Sequence, residues 1–204
     1  MYTRILIPLD GSITAEQVVP YARTFARSLK LTVELLAVVD VEALLTSVEG
    51  ARLLDNLLDQ ETRKSKEYLE RIAERFSGSR VKRTVQQGKA AEAIIEKATA
   101  DNSILIAMTT HGRSGLNRWL LGSVAEKVLR GSPNPLLLVK AVPNAATEGE
   151  ATLKSIVVPL DGSKLAESVL PAVTRIAKKL DLEIFLFRAY TNPYLSLAVA
   201  GSMR

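Results

Sequence analysis

Short apolar runs alternate with amphipathic stretches along the first 142 residues, and this alternation limits the possible folds more than any other property of the chain. The segments "RILIPLD" (4–10), "LTVELLAVVD" (31–40), "RVKRTVQQG" (80–88), "SILIAM" (103–108) and "NPLLLVKAV" (134–142) read as strands. Between them, helical spacing of apolar residues predicts helices over 14–29, 51–76, 90–100 and about 123–130. Pro20 inside the first of these is expected to bend it. Glu67 and Arg71 sit four apart on the second, as a supportive ion pair would. The runs "ILIPL", "ILIAM" and "LLLV" are almost continuously apolar, which is the pattern of strands buried on both faces. The order β-α-β-α-β-α-β-α-β then predicts an open five-stranded parallel sheet with helices on both faces, a Rossmann-like α/β fold.

After residues 143–153, "PNAATEGEATL", which lack any period and read as a linker, the sequence begins again. Pro8, Leu9, Asp10, Gly11 and Ser12 recur as Pro159, Leu160, Asp161, Gly162 and Ser163. Ala15, Glu16 and Pro20 recur as Ala166, Glu167 and Pro171 at the same offset, without a gap. The expected organisation is a complete domain over 1–142, a linker over 143–153, and a partial second copy over 154–204 (strand, helix, strand). Such a partial copy is expected to expose an apolar face unless something packs on it.

Composition excludes several chemistries. With no cysteine there is no disulfide framework, thiolate nucleophile or zinc–thiolate site, and the single histidine, His111, has no second histidine to share a metal with. No apolar run approaches the roughly 20 residues that cross a bilayer. The first residues, "MYTRILIPLDGS", enter a strand directly, unlike a secretory signal. These points lead to the expectation of a cytoplasmic protein with no membrane partner. The net charge of +5 favours anionic partners. Nucleic acid is not the expected one, because aromatic residues are 5% of the chain and are not interleaved with the basic ones.

In open parallel sheets, ligands bind beyond the C-terminal ends of the strands, where the strand order reverses. That rule singles out Asp10-Gly11-Ser12 after the first strand, Val38 near the end of the second, and Thr109-Thr110-His111-Gly112 after the fourth. Gly122 and Ser123 open the next helix. Ser123 and Glu126 have the spacing of a capping box. Two readings stand side by side: Ser123 only caps the helix, or the backbone N–H groups at 122–125 also receive a phosphate, helped by the helix dipole. Asp10 is either a turn residue capping the next helix or an acceptor for an amine or ribose hydroxyl. His111 lacks a serine or carboxylate partner, so loop ordering or a phosphate contact is expected of it rather than acid–base catalysis. Arg113 and Arg118 read as solvated loop residues, with a phosphate contact as the alternative, and Trp119, Leu120 and Leu121 as core or partner contacts rather than a ligand platform.

The segments "ILIPLDGS" and "MTTHGRSGLNRWLLGSVAEKVLRGSPNPLLLV", together with the five-strand order, resemble the universal stress protein family across residues 1–142. The repeat suggests its tandem type. The resemblance implies the adenine nucleotide alpha hydrolase-like version of the fold. Nucleotide-binding members carry G-x-x-G, nine residues, then G-S or G-T. Gly112, Gly122 and Ser123 match the later part, while Thr109 stands where the first glycine would be. By resemblance, Pro8, Leu9, Asp10 and the backbone at Val38 would hold the adenosine end. Met108, Thr109, His111 and Gly112 would line the entry for ribose and phosphate. Gly122, Ser123, Val124 and Ala125 would hold the phosphates of ATP, or of ADP or AMP, with Mg2+ carried by the nucleotide.

The implied role is an adenine-nucleotide-binding stress-response protein, not a dedicated enzyme. It would pair through the fifth strand as a homodimer or an intramolecular pseudo-dimer. The rival reading is a nucleotide-independent scaffold that acts through protein association. An ATP-pyrophosphatase-like synthetase would need an S-G-G-x-D-S type loop, which "LDGSITAE" does not supply.

Overall fold

A computed structural model of the chain describes residues 2–45, 51–111 and 121–190. It contains two compact units that divide at Thr152–Leu153. The first unit holds β1 (Arg4–Pro8), α1 (Ile13–Glu16), α2 (Val19–Leu29), β2 (Thr32–Val39), α3 (Val41–Leu45) and α4 (Ala51–Glu74). These are followed by β3 (Val81–Gln87), α5 (Ala90–Thr99), β4 (Ile104–Thr109), α6 (Ser123–Gly131) and β5 (Leu136–Val139). The five strands form one parallel sheet in the order β3-β2-β1-β4-β5. The order reverses between β1 and β4, where Leu6 lies in register with Ile106.

Alternation along the strands divides the core between the two faces. Leu6, Leu36, Ile104, Ile106 and Met108 pack with Ala91, Ile94 and Ala98 of α5 and with Ala125 and Val128 of α6. The opposite set, including Ile5, Ile7, Val33 and Leu35, is fully buried, and α2 and α4 bring Val19, Ala22, Leu69 and Ile72 into the core as well. The nearly unbroken apolar runs of β1 and β4 are thus explained by helices on both faces.

Local details depart from the sequence expectations. Residues 14–29 do not form one bent helix. The chain leaves α1 at Gln17 and starts α2 at Val19, with Pro20 in its first turn. A proline there removes an N–H that has no helical partner anyway, and its fixed φ suits the start of a helix. Arg71 does not pair with Glu67 among the described residues. Its guanidinium lies over the Tyr68 ring, 5.8 Å from the centroid. The segment read as a linker is laid along α2: Ala151 donates to the Pro20 carbonyl (3.1 Å), Thr24 donates to the Ala151 carbonyl (2.8 Å), and Glu150 meets Arg27 at 3.1 Å.

Glu34 on β2 is fully buried and surrounded by cations from three other elements: Arg4 of β1 (3.1 Å), Lys82 of β3 (3.6 Å) and Lys97 of α5 (3.0 Å). Burial, the strongest influence, pushes its pKa up. Contact with Lys97 and the charges of Lys82 and Arg4 together outweigh it and hold the carboxyl below its ordinary value.

The second unit contains β6 (Ser155–Pro159), α7 (Lys164–Glu167), α8 (Leu170–Leu180) and β7 (Glu183–Phe187), with β6 and β7 parallel. It repeats the local geometry of the first unit residue for residue. Ser12 accepts from the Ala15 N–H and Ser163 from the Ala166 N–H, each at 3.1 Å. Gly11 and Gly162 have φ of 82° and 88°, a left-handed conformation that favours glycine. What differs is cover. Ile5, Leu6 and Leu36 are fully buried, whereas Val157, Phe185, Leu186 and Phe187 are each more than half exposed. Among the described residues, no helix is long and apolar enough to cross a membrane.

Candidate functional site

The C-terminal ends of β1 and β4 diverge to opposite neighbours in the sheet, and a cleft of about 250 Å3 opens above them. Pro8, Leu9 and Asp10 line it from the end of β1, and Val38 from β2. Met108, Thr109 and His111 reach it from β4 and the turn beyond. Gly122, Ser123, Val124 and Ala125 reach it from the start of α6. The cleft therefore brings these residues together, whereas Gly11 and Ser12, singled out with Asp10, do not line it. Gly112 lies outside the described residues, as do Arg113, Arg118, Trp119 and Leu120. Thr110, singled out with its neighbours, also lines the cleft, and three further residues, Ala15, Ala90 and Ile94, complete the lining. Ala15, Ala90 and Ile94 gave no sequence signal, because as core-facing helix residues they look like any other packing position.

Asp10 organises the turn after β1. Its Oδ1 accepts from the Ser12 N–H at 3.0 Å and from the Ser12 hydroxyl at 2.6 Å, and Ser12 Oγ in turn caps α1. The turn role and the position in the cleft coexist in one carboxylate. In the second unit Asp161 accepts from the Ser163 N–H at 2.8 Å in the same way.

The start of α6 corrects the capping-box expectation. Ser123 is the first helical residue, not the cap. The N-cap is Gly122, and no side chain caps the helix. Glu126 turns instead to Arg130, one helical turn on, at 3.1 Å. Gly122 also does not contribute a free N–H, since it donates to the Thr110 carbonyl at 2.8 Å, while its own carbonyl accepts the Glu126 N–H at 2.9 Å. A Cβ on Gly122 would lie 3.1 Å from the Thr110 carbonyl oxygen and 3.5 Å from His111 Cα. A side chain here would press on the Thr110 carbonyl, which would have to give by a few tenths of an ångström, so glycine lets the turn after β4 close on α6 without that strain. The N–H groups of Ser123, Val124 and Ala125, which precede the first intrahelical bond, have no partner among the described residues.

The turn itself is tightly held. Thr109 is buried, and its hydroxyl donates to the His111 carbonyl at 2.6 Å. The Thr110 N–H donates to the Val139 carbonyl at 2.9 Å, and Thr110 Oγ1 accepts from the Ala141 N–H at 3.2 Å. Thr109 thus spends its hydroxyl on the turn. The cleft combines an apolar floor, one carboxylate near β1, and a cluster of backbone donors at the positive end of a helix. Such a site suits a flat ring with an anionic tail.

Beside it, a second hollow of about 530 Å3 shares Leu9, Asp10 and Val38 and runs under α3 and α4. The buried Tyr68 hydroxyl on its wall meets no acceptor at hydrogen-bond geometry among the described residues, although Glu16 lies close. Burial first, and then the charges of Glu16 and Asp10, push its pKa up. Among the described residues, no group of three or more potential metal ligands occurs.

Comparison with known proteins shows the family and the fold. The model of the Universal stress protein family matches residues 1–140. Universal stress protein MJ0531 of Methanocaldococcus jannaschii is 34% identical over 142 residues, covering 69% of this chain and 83% of that protein. Universal stress protein MJ0577 of the same organism is 32% identical over 156 residues, covering 69% and 96%. The solved structure of MJ0577 superposes with a TM-score of 0.63 over 71% of this chain and 99% of its own. A universal stress protein structure from Archaeoglobus fulgidus, 21% identical, shares the fold over 98% of this chain and 71% of its own, with a TM-score of 0.72.

Proposed function

Because the chain belongs to the universal stress protein family, we propose that the cleft between β1 and β4 binds an adenine nucleotide, ATP or its di- and monophosphate, and that the protein acts as a stress-response regulator. One observation carries the reading above the others. Three backbone N–H groups without a partner among the described residues, at Ser123, Val124 and Ala125, stand at the start of a helix in the same cleft as Asp10 and Val38. Backbone donors at a helix N-terminus favour phosphate. The apolar surface of Leu9, Val38 and Ile94 suits the faces of a base, and Asp10 suits its exocyclic amine or a ribose hydroxyl.

A divalent ion in this reading arrives on the phosphates, held by the nucleotide and water. The proposed role is binding in the cytoplasm, with pairing through β5, as a homodimer or an intramolecular pseudo-dimer of tandem repeats. Catalysis is not part of this proposal.

The second reading, a scaffold that works without nucleotide, draws on Thr109. Its buried side chain stands in the cleft, at the position where the family resemblance implies the first glycine of the nucleotide-binding motif. Calorimetry separates the two. Folded wild-type protein is expected to bind ATP, and Gly122→Val combined with Ser123→Ala is expected to lose it, with circular dichroism confirming that the variant is folded. No binding by the wild type overturns the nucleotide reading, and unchanged affinity in the variant overturns this site.

A further inference from the structure

His111 Nε2 is buried and has no hydrogen-bond partner among the described residues. A buried nitrogen without a partner is costly, and an orphan inside a cleft points to a ligand that satisfies it. What it offers that ligand depends on where the ring proton sits. The other ring nitrogen, Nδ1, is 3.1 Å from Thr110 Oγ1. That hydroxyl already accepts the Ala141 N–H, and its own proton has no other acceptor among the described residues. Were Nδ1 to donate to Thr110, the hydroxyl proton would be stranded and Nε2 would be a bare acceptor. With Thr110 donating to Nδ1, every group is used and Nε2 carries the proton.

Position specifies the ligand group. The Thr110 carbonyl accepts from Gly122, and His111 Cα lies within 3.5 Å of where a Gly122 Cβ would be. His111 therefore leaves the main chain beside the start of α6 and lines the same cleft as Ser123, Val124 and Ala125, whose N–H groups have no partner among the described residues. A donor added to a cluster of donors matches an acceptor-only group.

We propose that His111 contacts the ligand directly, donating from Nε2 to the phosphate end of the nucleotide, and that Thr110 is the positioning residue that sets its tautomer. This assignment rests on the nucleotide reading above. It makes His111 discriminate between phosphorylated and unphosphorylated forms of one nucleoside, a selectivity that Asp10 and Val38 do not supply.

Calorimetry with ATP, AMP and adenosine on full-length protein tests this. His111→Phe keeps the bulk of the ring and is expected to weaken ATP and AMP about tenfold or more, as for loss of a hydrogen bond to a charged group. Adenosine binding stays within about twofold. His111→Gln, whose amide nitrogen reaches where Nε2 lies, recovers most of the phosphate affinity. Thr110→Val weakens ATP while Thr110→Ser does not. Because His111 is the only histidine, long-range 1H–15N NMR at pH 8 reports its tautomer alone. The expected spectrum is Nε2-protonated in the wild type and mixed in Thr110→Val.

Equal weakening of adenosine and ATP by His111→Phe overturns the assignment, as does an Nδ1-protonated wild type. Unchanged ATP affinity in His111→Phe overturns it too, while leaving the nucleotide reading intact. Failure of the folded wild type to bind ATP overturns both.

Discussion

Replacing Glu34 by glutamine keeps the shape of the side chain and removes its charge from a cluster of three cations. The carboxylate is fully buried, with Lys97 at 3.0 Å, Arg4 at 3.1 Å and Lys82 at 3.6 Å. Removing one partner of a buried ion pair costs about 3–5 kcal/mol, because the other charge is left buried and unpaired. Here the stranded cations are not equally trapped. The Lys82 side chain is 62% exposed and turns to water, Arg4 is 34% exposed, and only Lys97, at 21%, stays confined. The expected loss is therefore at the lower end, about 3 kcal/mol. With a urea slope of about 2 kcal/mol/M, the unfolding midpoint of the first unit falls by about 1.5 M.

The effect depends on pH with a definite sign. The folded-state pKa of Glu34 is held below 4.5. Its contribution is therefore fully present above the unfolded value and is lost as pH falls through the folded one. The wild type and Glu34→Gln are expected to differ most at neutral pH, to begin converging as pH falls below 4.5, and to meet once it has passed the lower folded-state value, where the protonated acid resembles the amide. Urea titrations at pH 7, 5 and 3, followed by circular dichroism, measure this. Midpoints that coincide at pH 7, or a gap that does not narrow on acidification, would refute the argument that the cluster is held together by the Glu34 charge.

Gly122→Ala places a Cβ 3.1 Å from the Thr110 carbonyl oxygen, so it is expected to cost about 1–2 kcal/mol and to weaken ATP in calorimetry by parting the β4 turn from α6. Thr109→Val keeps the buried volume but removes the 2.6 Å bond to the His111 carbonyl; thermal unfolding should show a loss of about 1 kcal/mol. Gly11→Ala forces a side chain into φ of 82° and is expected to cost about 1 kcal/mol or more, read from urea midpoints. Arg23→Ala removes the 2.9 Å bond to the Gly149 carbonyl; faster amide hydrogen exchange at Ala151 is the expected result, and unchanged exchange would show that the strap is held without Arg23.

Much of this protein is legible locally. Hydrophobic period alone places all five strands of the first unit, and the switch-point rule then names Asp10, Val38, Thr109 and His111 before any of them is seen together. This works because burial on both faces writes itself into consecutive residues, and because βα ends in parallel sheets must converge on one edge. The constant repeat offset likewise foretold that Asp161 and Ser163 would rebuild the turn of Asp10 and Ser12. Turn chemistry of this kind spans only a few residues.

Polar partners were not legible. Ser123 and Glu126 have capping-box spacing, yet Gly122 is the cap, because its N–H is taken by the Thr110 carbonyl arriving from β4. Nothing in the sequence around Glu34 marks it as buried; three cations from β1, β3 and α5 accompany its burial. Thr110 acquires its role through Ala141, which only the pairing of β4 with β5 brings near. The sequence by itself determined the order of elements, the sheet and the edge at which the site opens, because apolar periodicity is a local signal. The tertiary structure alone decided which N–H groups remain free, which hydroxyls are spent and which nitrogen is left without a partner. Those depend on groups far apart in the chain competing for one another at hydrogen-bond distance.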